Sequence, residues 1–166
     1  MIDNDSETIK SCEALAKVYL KQGEYSKSYD EYNKAFQLIK STKFFSSLFL
    51  IRFYNDFAFV CENLKDYNKA VSLIKHTLVI LYGTNYLNLP TEELISKTKE
   101  ALIKYKNIAI CKIFINVIKY HFITRDNETA EIFYMLLHIN NEYLDNYANL
   151  WIKKFKEKYL KNESET

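Results

Sequence analysis

The side chains best suited to acid–base or metal chemistry are three histidines that stand far apart in the chain. His76, His121 and His138 occur in no HExxH pattern and in no Glu-x-x-His pair, the spacings that place two zinc ligands on one helix face. His138 and Glu142 are one helical turn apart, but a predicted helix break separates them. We therefore expect no metal site and assign no role to a histidine.

Three cysteines are the candidate thiol nucleophiles. Cys12, Cys61 and Cys111 form no CxxC motif and no Cys/His cluster, so the sequence predicts neither a zinc site nor a disulfide framework. Each falls on the apolar side of its expected helix, where cysteine acts as a small hydrophobic residue. Such thiols suit a reducing compartment, and we expect a cytoplasmic protein.

The two glycines bear on phosphate chemistry. Gly23 and Gly83 both stand at expected helix ends, so neither belongs to a glycine-rich loop that could hold a nucleotide phosphate. We therefore expect no enzymatic activity and no cofactor.

The composition predicts an all-α protein. The chain has 166 residues, of which 48% are hydrophobic and 27% charged, with only 2 Gly and 1 Pro. Hairpins and β-barrels need far more turn residues than that. A net charge of +2 is too small to indicate nucleic-acid binding, and we expect no nucleic-acid partner. No uncharged apolar run is long enough to predict a transmembrane helix.

A pattern of small and aromatic residues recurs along the chain. It comprises Ala16, Tyr19, Gly23, Tyr25, Ser28, Tyr32 and Ala35, then Ala58, Tyr67 and Ala70 at a period of 42, then Ala130 and Tyr134 after a further 60. Helical spacing on both sides of Gly23 predicts an antiparallel helical hairpin. Small residues let the two helices approach closely. We therefore expect Ala70→Leu to destabilise the protein and Ser28→Ala to be neutral.

These residues resemble the tetratricopeptide repeat, although Lys65 stands where that repeat usually has glycine. The resemblance implies antiparallel hairpins stacked as a right-handed superhelix of about seven helices. It also implies a non-catalytic adaptor that binds a peptide or helix of a partner protein in a concave groove. The long period, together with residues 144–154, is similar to the soluble attachment proteins of membrane fusion, so a membrane-traffic adaptor is an alternative. A structural subunit of a larger assembly is another.

The repeats define the expected boundaries. We expect a flexible N-terminus over 1–8, one domain over 9–161 and a flexible tail over 162–166. Within the domain, the repeats cover about 9–42, 48–82 and 105–140, and a capping helix covers 142–161. One helix of about 22 residues is expected to end near Asn63. Another is expected to run unbroken from Thr91 toward Thr124, with Asp126 capping the next.

The family resemblance implies that the groove is lined by the first helix of each hairpin. The candidate partner-binding residues are Lys10, Lys17, Leu20, Lys21, Arg52, Asn55, Phe59, Lys112, Lys119 and Phe122, and Glu13, Glu62, Asn63, Ile115 and Ile123 complete the expected lining. We expect Lys17, Arg52 and Lys119 to share a concave surface that attracts an acidic or amphipathic peptide or helix. The alternative is that the lysines are a solvated face and the aromatic residues belong to the core.

The carboxylate clamp of tetratricopeptide co-chaperones can be checked directly in the sequence. That clamp uses Lys and Asn in the first hairpin, Asn in the second, and Lys and Arg in the third. The equivalent positions here hold Glu13, Lys17, Phe59, Ile115 and Lys119. We therefore do not expect binding of chaperone tails by that mechanism.

The C-terminal segment predicts a basic amphipathic helix. Leu150, Trp151, Phe155 and Tyr159 form one stripe, and lysines occupy the remaining positions. The pattern is typical of a capping helix with an apolar inner face. The alternative is that this helix binds a membrane surface or a partner helix.

Overall fold

The structure is a computed structural model that describes residues 2–42, 45–105, 107–140, 142 and 146–157. Those residues form eight α-helices and a short 3₁₀ helix (Tyr86–Asn88), with no strand among them. The α-helices are α1 (Ile2–Lys21), α2 (Tyr25–Ile39), α3 (Ser47–Asn63), α4 (Tyr67–Tyr82), α5 (Thr91–Lys104), α6 (Asn107–Ile123), α7 (Asn127–Ile139) and α8 (Asn146–Phe155). The predicted all-α class is confirmed.

Two predicted helices are longer than those observed. The helix expected from Thr91 toward Thr124 is interrupted at Tyr105, whose backbone is extended with φ −100° and ψ 159°. This break separates α5 from α6 and accounts for an eighth helix where about seven were expected. Likewise, α3 has 17 residues, because it begins after Ser46, whose Oγ accepts a hydrogen bond from the Phe49 N–H at 3.2 Å.

The N-terminal residues belong to a helix. Residues 2–8, for which the sequence predicts a flexible terminus, form the first turns of α1. Thr8 Oγ1 donates to the Asn4 carbonyl at 2.7 Å, and the next residue, Ile9, is fully buried. At the other end, α8 begins at Asn146, and Glu142 precedes it in a 3₁₀ turn. Residues 158–161 of the predicted capping helix and the predicted tail 162–166 lie outside the described residues.

The chain divides into two compact units, Met1–Thr77 and Leu78–Thr166, where the sequence predicts one domain. The boundary falls inside α4. The first unit contains α1, α2, α3 and the start of α4. The second contains the end of α4, the 3₁₀ helix and α5 to α8.

Three helical hairpins, α1–α2, α3–α4 and α6–α7, turn in the same way. Gly23, Lys65 and Arg125 have φ of 74°, 64° and 66°, and they stand 42 and 60 residues apart. The same backbone hydrogen bond closes each turn, and it joins residues five apart. The Glu24 N–H donates to the Tyr19 carbonyl at 2.9 Å, the Asp66 N–H to the Cys61 carbonyl at 2.9 Å, and the Asp126 N–H to the His121 carbonyl at 2.8 Å. The spacings of 42 and 60 residues found in the sequence therefore equal the spacings between the left-handed residues of the three turns.

The residue after each left-handed residue immediately precedes the second helix of its hairpin. Asp66 Oδ1 accepts from the Lys69 N–H and Asp126 Oδ1 from the Thr129 N–H, each at 3.2 Å. The predicted cap at Asp126 is therefore confirmed. Glu24, the equivalent residue in the first hairpin, makes no capping hydrogen bond with its side chain.

The small residues of the repeat are buried, as close helix approach requires. Ala16, Ser28, Ala58 and Ala70 are 0% exposed, and Ala130 is 1% exposed. Ser28 Oγ also donates to the Ala16 carbonyl at 2.8 Å, across the α1–α2 contact. Replacing Ser28 by alanine removes this buried hydrogen bond. The expected neutral effect is therefore corrected to a loss of about 0.5 to 1.5 kcal/mol.

An inserted helix explains why the second period is 60 rather than 42. In the sequence, α5 follows the second hairpin and precedes the third, and it packs against both α6 and α7. Its buried face includes Leu94, Thr98 and Leu102. The hydroxyls of Tyr82 and Thr98 are 2.5 Å apart, which joins the end of α4 to this insertion.

We expect Lys65→Gly to stabilise the protein. A left-handed conformation costs a residue with a Cβ about 1 to 2 kcal/mol, whereas glycine adopts it freely. The greater freedom of glycine in the unfolded chain offsets part of the gain, which leaves about 0.5 to 1 kcal/mol. The Lys65 side chain is exposed, so little packing is lost. Urea unfolding measures the change.

Gly23→Ala is the matched opposite substitution. A Cβ at Gly23 would meet no atom within 4 Å, so the substitution tests the backbone alone. We expect it to destabilise the protein by about 1 kcal/mol. A less stable Lys65→Gly variant, or a neutral Gly23→Ala variant, would contradict the equivalence of the turns.

Candidate partner-binding surfaces

The predicted residues of the first hairpin lie on the outside of α1. Lys10, Lys17 and Lys21 are exposed, and Leu20 is partly buried. The three lysines are seven and four residues apart, which places them on one face of the helix. Helix α1 therefore presents a lysine-bearing face to solvent.

One of these lysines is already paired. Lys17 Nζ lies 2.6 Å from Glu13 Oε1, and the Glu13 side chain is only 15% exposed. The pair reduces the positive charge of the face below what a count of lysines suggests. Lys10 and Lys21 form no ion pair with any described residue.

The predicted residues of α3 combine a cation with an exposed aromatic ring. Arg52 and Phe59 are exposed, and Asn55 is partly buried. Phe59 is 41% exposed, although Phe53 and Phe57 of the same helix are buried. Asn63 Nδ2 donates to the Phe59 carbonyl at 2.9 Å, near the end of the helix. Phe59 is thus an apolar contact point beside polar side chains.

Helices α1 and α3 both pack against α2, which carries Tyr32. Its ring is 0% exposed and stacks on Phe57 of α3, with centroids 5.4 Å apart. Burial raises the pKa of Tyr32, and the charges of Asp56 and Glu13 raise it further. Since Asp56 is on α3 and Glu13 on α1, both helices place a carboxylate near this tyrosine. We call the exposed residues Lys10, Lys21, Arg52 and Phe59 the α1/α3 surface.

The predicted residues of the third hairpin differ in their exposure. Lys112 is exposed, whereas Lys119 is partly buried, with its Nζ 5.4 Å from the Tyr120 ring centroid. Phe122 is also partly buried, and its ring packs on Phe155 of α8 at 5.9 Å. Ile115 is only 5% exposed, so its predicted place in the groove lining is wrong. It is buried because α6 is packed by neighbouring helices on several sides.

Lys112, Lys119 and Phe122 belong to the second unit, and the α1/α3 surface belongs to the first. That Lys17, Arg52 and Lys119 share one concave surface stays a prediction.

Helix α8 has the two faces expected of a capping helix. Ile152 and Phe155 are buried, and Phe155 contacts Tyr134 of α7 at 5.4 Å between centroids. Lys153 and Lys154 are exposed on the other face. Leu150, which the sequence places in the apolar stripe, is 59% exposed. Tyr159 lies outside the described residues.

Two apolar residues of α1 are exposed to solvent. Leu15 is 40% exposed and Val18 is 48% exposed. Leu15 fits the apolar periodicity of the repeat, but among the described helices α1 packs chiefly against α2.

His121, His138 and Cys61 take part in the packing of their helices. Nδ1 of the buried His121 lies 2.7 Å from the Val117 carbonyl, and His138 stacks on Tyr134. Burial raises the pKa of Cys61 to about 12, which keeps this thiol protonated and unreactive at neutral pH. The described residues contain no group of three His, Cys, Asp or Glu side chains placed to hold a metal ion.

None of the helices in the described ranges combines the length and apolar character needed to cross a bilayer. The chain matches no protein-family model, no curated protein and no solved structure.

Proposed function

We propose that this protein is a non-catalytic adaptor built from tetratricopeptide-like hairpins, and that its α1/α3 surface binds an acidic peptide or helix of a partner protein. The observation that carries the proposal is that α1 exposes Lys10 and Lys21, which form no ion pair with a described residue, while α3 exposes the Phe59 ring, and both helices pack against α2.

The repeated hairpin supports an adaptor more than it supports an enzyme. Hairpins of this kind bury their small residues against each other, which leaves the outer faces of the first helices available for partners. Recognition of a helix or peptide in this way needs apolar contact points and complementary charge rather than reactive groups. Cys12 and Cys61 are free thiols, which suits the proposed cytoplasmic location.

The charges of the α1/α3 surface would act mainly on partner selection. Exposed ion pairs contribute only about 0.2 to 1 kcal/mol each, so a single substitution has a small effect. Phe59 is the residue whose removal would cost the most if a partner pocket encloses the ring, since such anchors can exceed about 2 kcal/mol.

A triple charge reversal tests the proposal. The variant Lys10→Glu, Lys21→Glu and Arg52→Glu leaves out Lys17, which Glu13 already pairs, and Lys119, which belongs to the second unit. A partner is first identified by affinity capture on the wild-type chain, then purified and titrated at two salt concentrations. We expect the variant to bind at least about tenfold more weakly, and wild-type binding to weaken at higher salt.

The matched control reverses three exposed lysines elsewhere, Lys75, Lys153 and Lys154. It carries the same change in net charge and should bind as the wild type does. Unchanged binding by the α1/α3 variant, with its helical content intact, would contradict the proposal. Loss of binding in the control variant alone would assign recognition to α4 or α8 instead.

A further inference from the structure

Three nitrogen-bearing side chains gather around one aromatic ring in the first unit, apart from the α1/α3 surface. Lys40 follows the last residue of α2, Lys69 lies in the first turn of α4, and His76 stands seven residues further along α4. Lys69 and His76 therefore occupy the same face of α4. Nζ of Lys40 is 4.6 Å and Nζ of Lys69 is 5.1 Å from the centroid of the Phe36 ring.

The aromatic rings beneath these groups are well packed. Phe36 is 5% exposed and Tyr54 is 7% exposed. The His76 imidazole stacks on Tyr54 with centroids 4.9 Å apart and meets the Phe36 ring edge-on at 5.6 Å. Helices α2, α3 and α4 thus each contribute to one cluster, in which Lys40 and His76 are exposed and Lys69 is partly exposed.

No acidic side chain of the described residues lies within ion-pair distance of this cluster. Lys40, Lys69 and His76 form no ion pair with any residue that the structure describes. Asp66, close in sequence to Lys69, uses its carboxylate to cap α4 by accepting the Lys69 N–H. Lys69 also stands at the positive end of the α4 dipole, where a cation is disfavoured.

The electrostatics of His76 agree with the geometry. The rings packed against the His76 imidazole partly desolvate it and so lower its pKa, and the charges of Lys40 and Lys69 lower it further. Both ammonium groups therefore disfavour the charged form of the imidazole. An anion placed among the three would relieve this repulsion.

We propose that Lys40, Lys69 and His76 form a binding site for a phosphoryl group. The two ammonium groups offer only donors, and the imidazole offers a further N–H. A phosphoryl group matches this set, because it carries close to two negative charges and three acceptor oxygens. A carboxylate has one charge and would leave part of the repulsion in place. The site does not include the α1/α3 surface, and the inference does not rest on the proposed function.

The test follows the imidazole signals of the full chain by NMR, with isotope-labelled histidine. The probes are inorganic phosphate, N- and C-blocked phosphoserine, and equally blocked glutamate. We expect both phosphoryl probes to shift the His76 signals, and the pKa of His76 to rise because a bound anion favours the imidazolium. Tighter binding of phosphoserine indicates a phosphorylated side chain as the natural source, and tighter binding of inorganic phosphate indicates a free anion.

Internal and variant controls separate a site from general charge attraction. His138 also stacks on a tyrosine, Tyr134, and its signals should not respond to phosphate. The variant Lys40→Gln with Lys69→Gln should bind phosphate at least about tenfold more weakly. The variant Lys75→Gln, on the same helix, should bind as the wild type does. The inference is overturned if His76 does not respond, if its response persists in the double variant, or if glutamate binds equally well.

Discussion

Phe57→Ala is expected to lower the free energy of unfolding by about 3 to 5 kcal/mol, because it removes the ring at the centre of an aromatic cluster. Phe57 is 0% exposed, and its ring contacts Tyr29, Tyr32, Phe36 and Phe53 at centroid distances of 5.3 to 6.2 Å. The substitution leaves a cavity among these aromatic residues of α2 and α3. Chemical denaturation followed by circular dichroism measures the loss.

Tyr32→Phe is the matched control within the same cluster. The Tyr32 hydroxyl is buried and makes no hydrogen bond with a described residue. A buried polar group without a partner costs free energy, so its removal should leave stability unchanged or raise it. A loss of less than about 1 kcal/mol for Phe57→Ala would show that the α2–α3 contact is not the centre of the first unit.

Ala70→Leu is expected to destabilise the protein by about 1 to 3 kcal/mol. Ala70 is 0% exposed and occupies, in the second hairpin, the position that Ser28 holds in the first. A leucine there would force the two helices apart or leave its own rotamer strained. Thermal and urea unfolding give the change in stability.

Ser72→Leu places the same side chain at an exposed position of α4. It should change stability by no more than about 0.5 kcal/mol. If Ala70→Leu were as stable as the wild type, the alignment of the second hairpin with the first would be wrong.

The hairpins could be predicted because their signals are local. Small residues at 16, 28, 58, 70 and 130 and a turn after each first helix are visible in the sequence as a period. Lys65 and Arg125 show the limit of such reasoning. Their φ values match that of Gly23, yet lysine and arginine carry no signal for a left-handed conformation. Only the register of the repeat indicates them.

The break at Tyr105 and the exposure of individual groove residues could not be predicted from the sequence. Residues 91–123 keep helical spacing throughout, and the extended backbone of Tyr105 has no glycine or proline to announce it. Burial of Ile115 and the packing of Phe122 on Phe155 depend on which helices surround α6. The Lys17–Glu13 pair has a visible i, i+4 spacing, but its effect on the charge of the surface needs the observed contact.

The position of His76 illustrates a different limit. The sequence shows a histidine that has no metal-binding partner at helical spacing. It does not indicate that Lys40, which is 36 residues away in the chain, lies near this histidine. Only the packing of α2, α3 and α4 brings the two lysines and the imidazole to the Phe36 ring.

The central claim, that the α1/α3 surface binds a partner protein, is tested most directly by photo-cross-linking in living cells. Phe59 is replaced by p-benzoylphenylalanine, and the same residue is placed at Ile103 and at Leu150, two exposed apolar positions on α5 and α8. We predict a cross-linked protein from position 59 that disappears when Lys10, Lys21 and Arg52 are changed to Glu. Cross-links from position 103 or 150 with none from position 59 would contradict the claim.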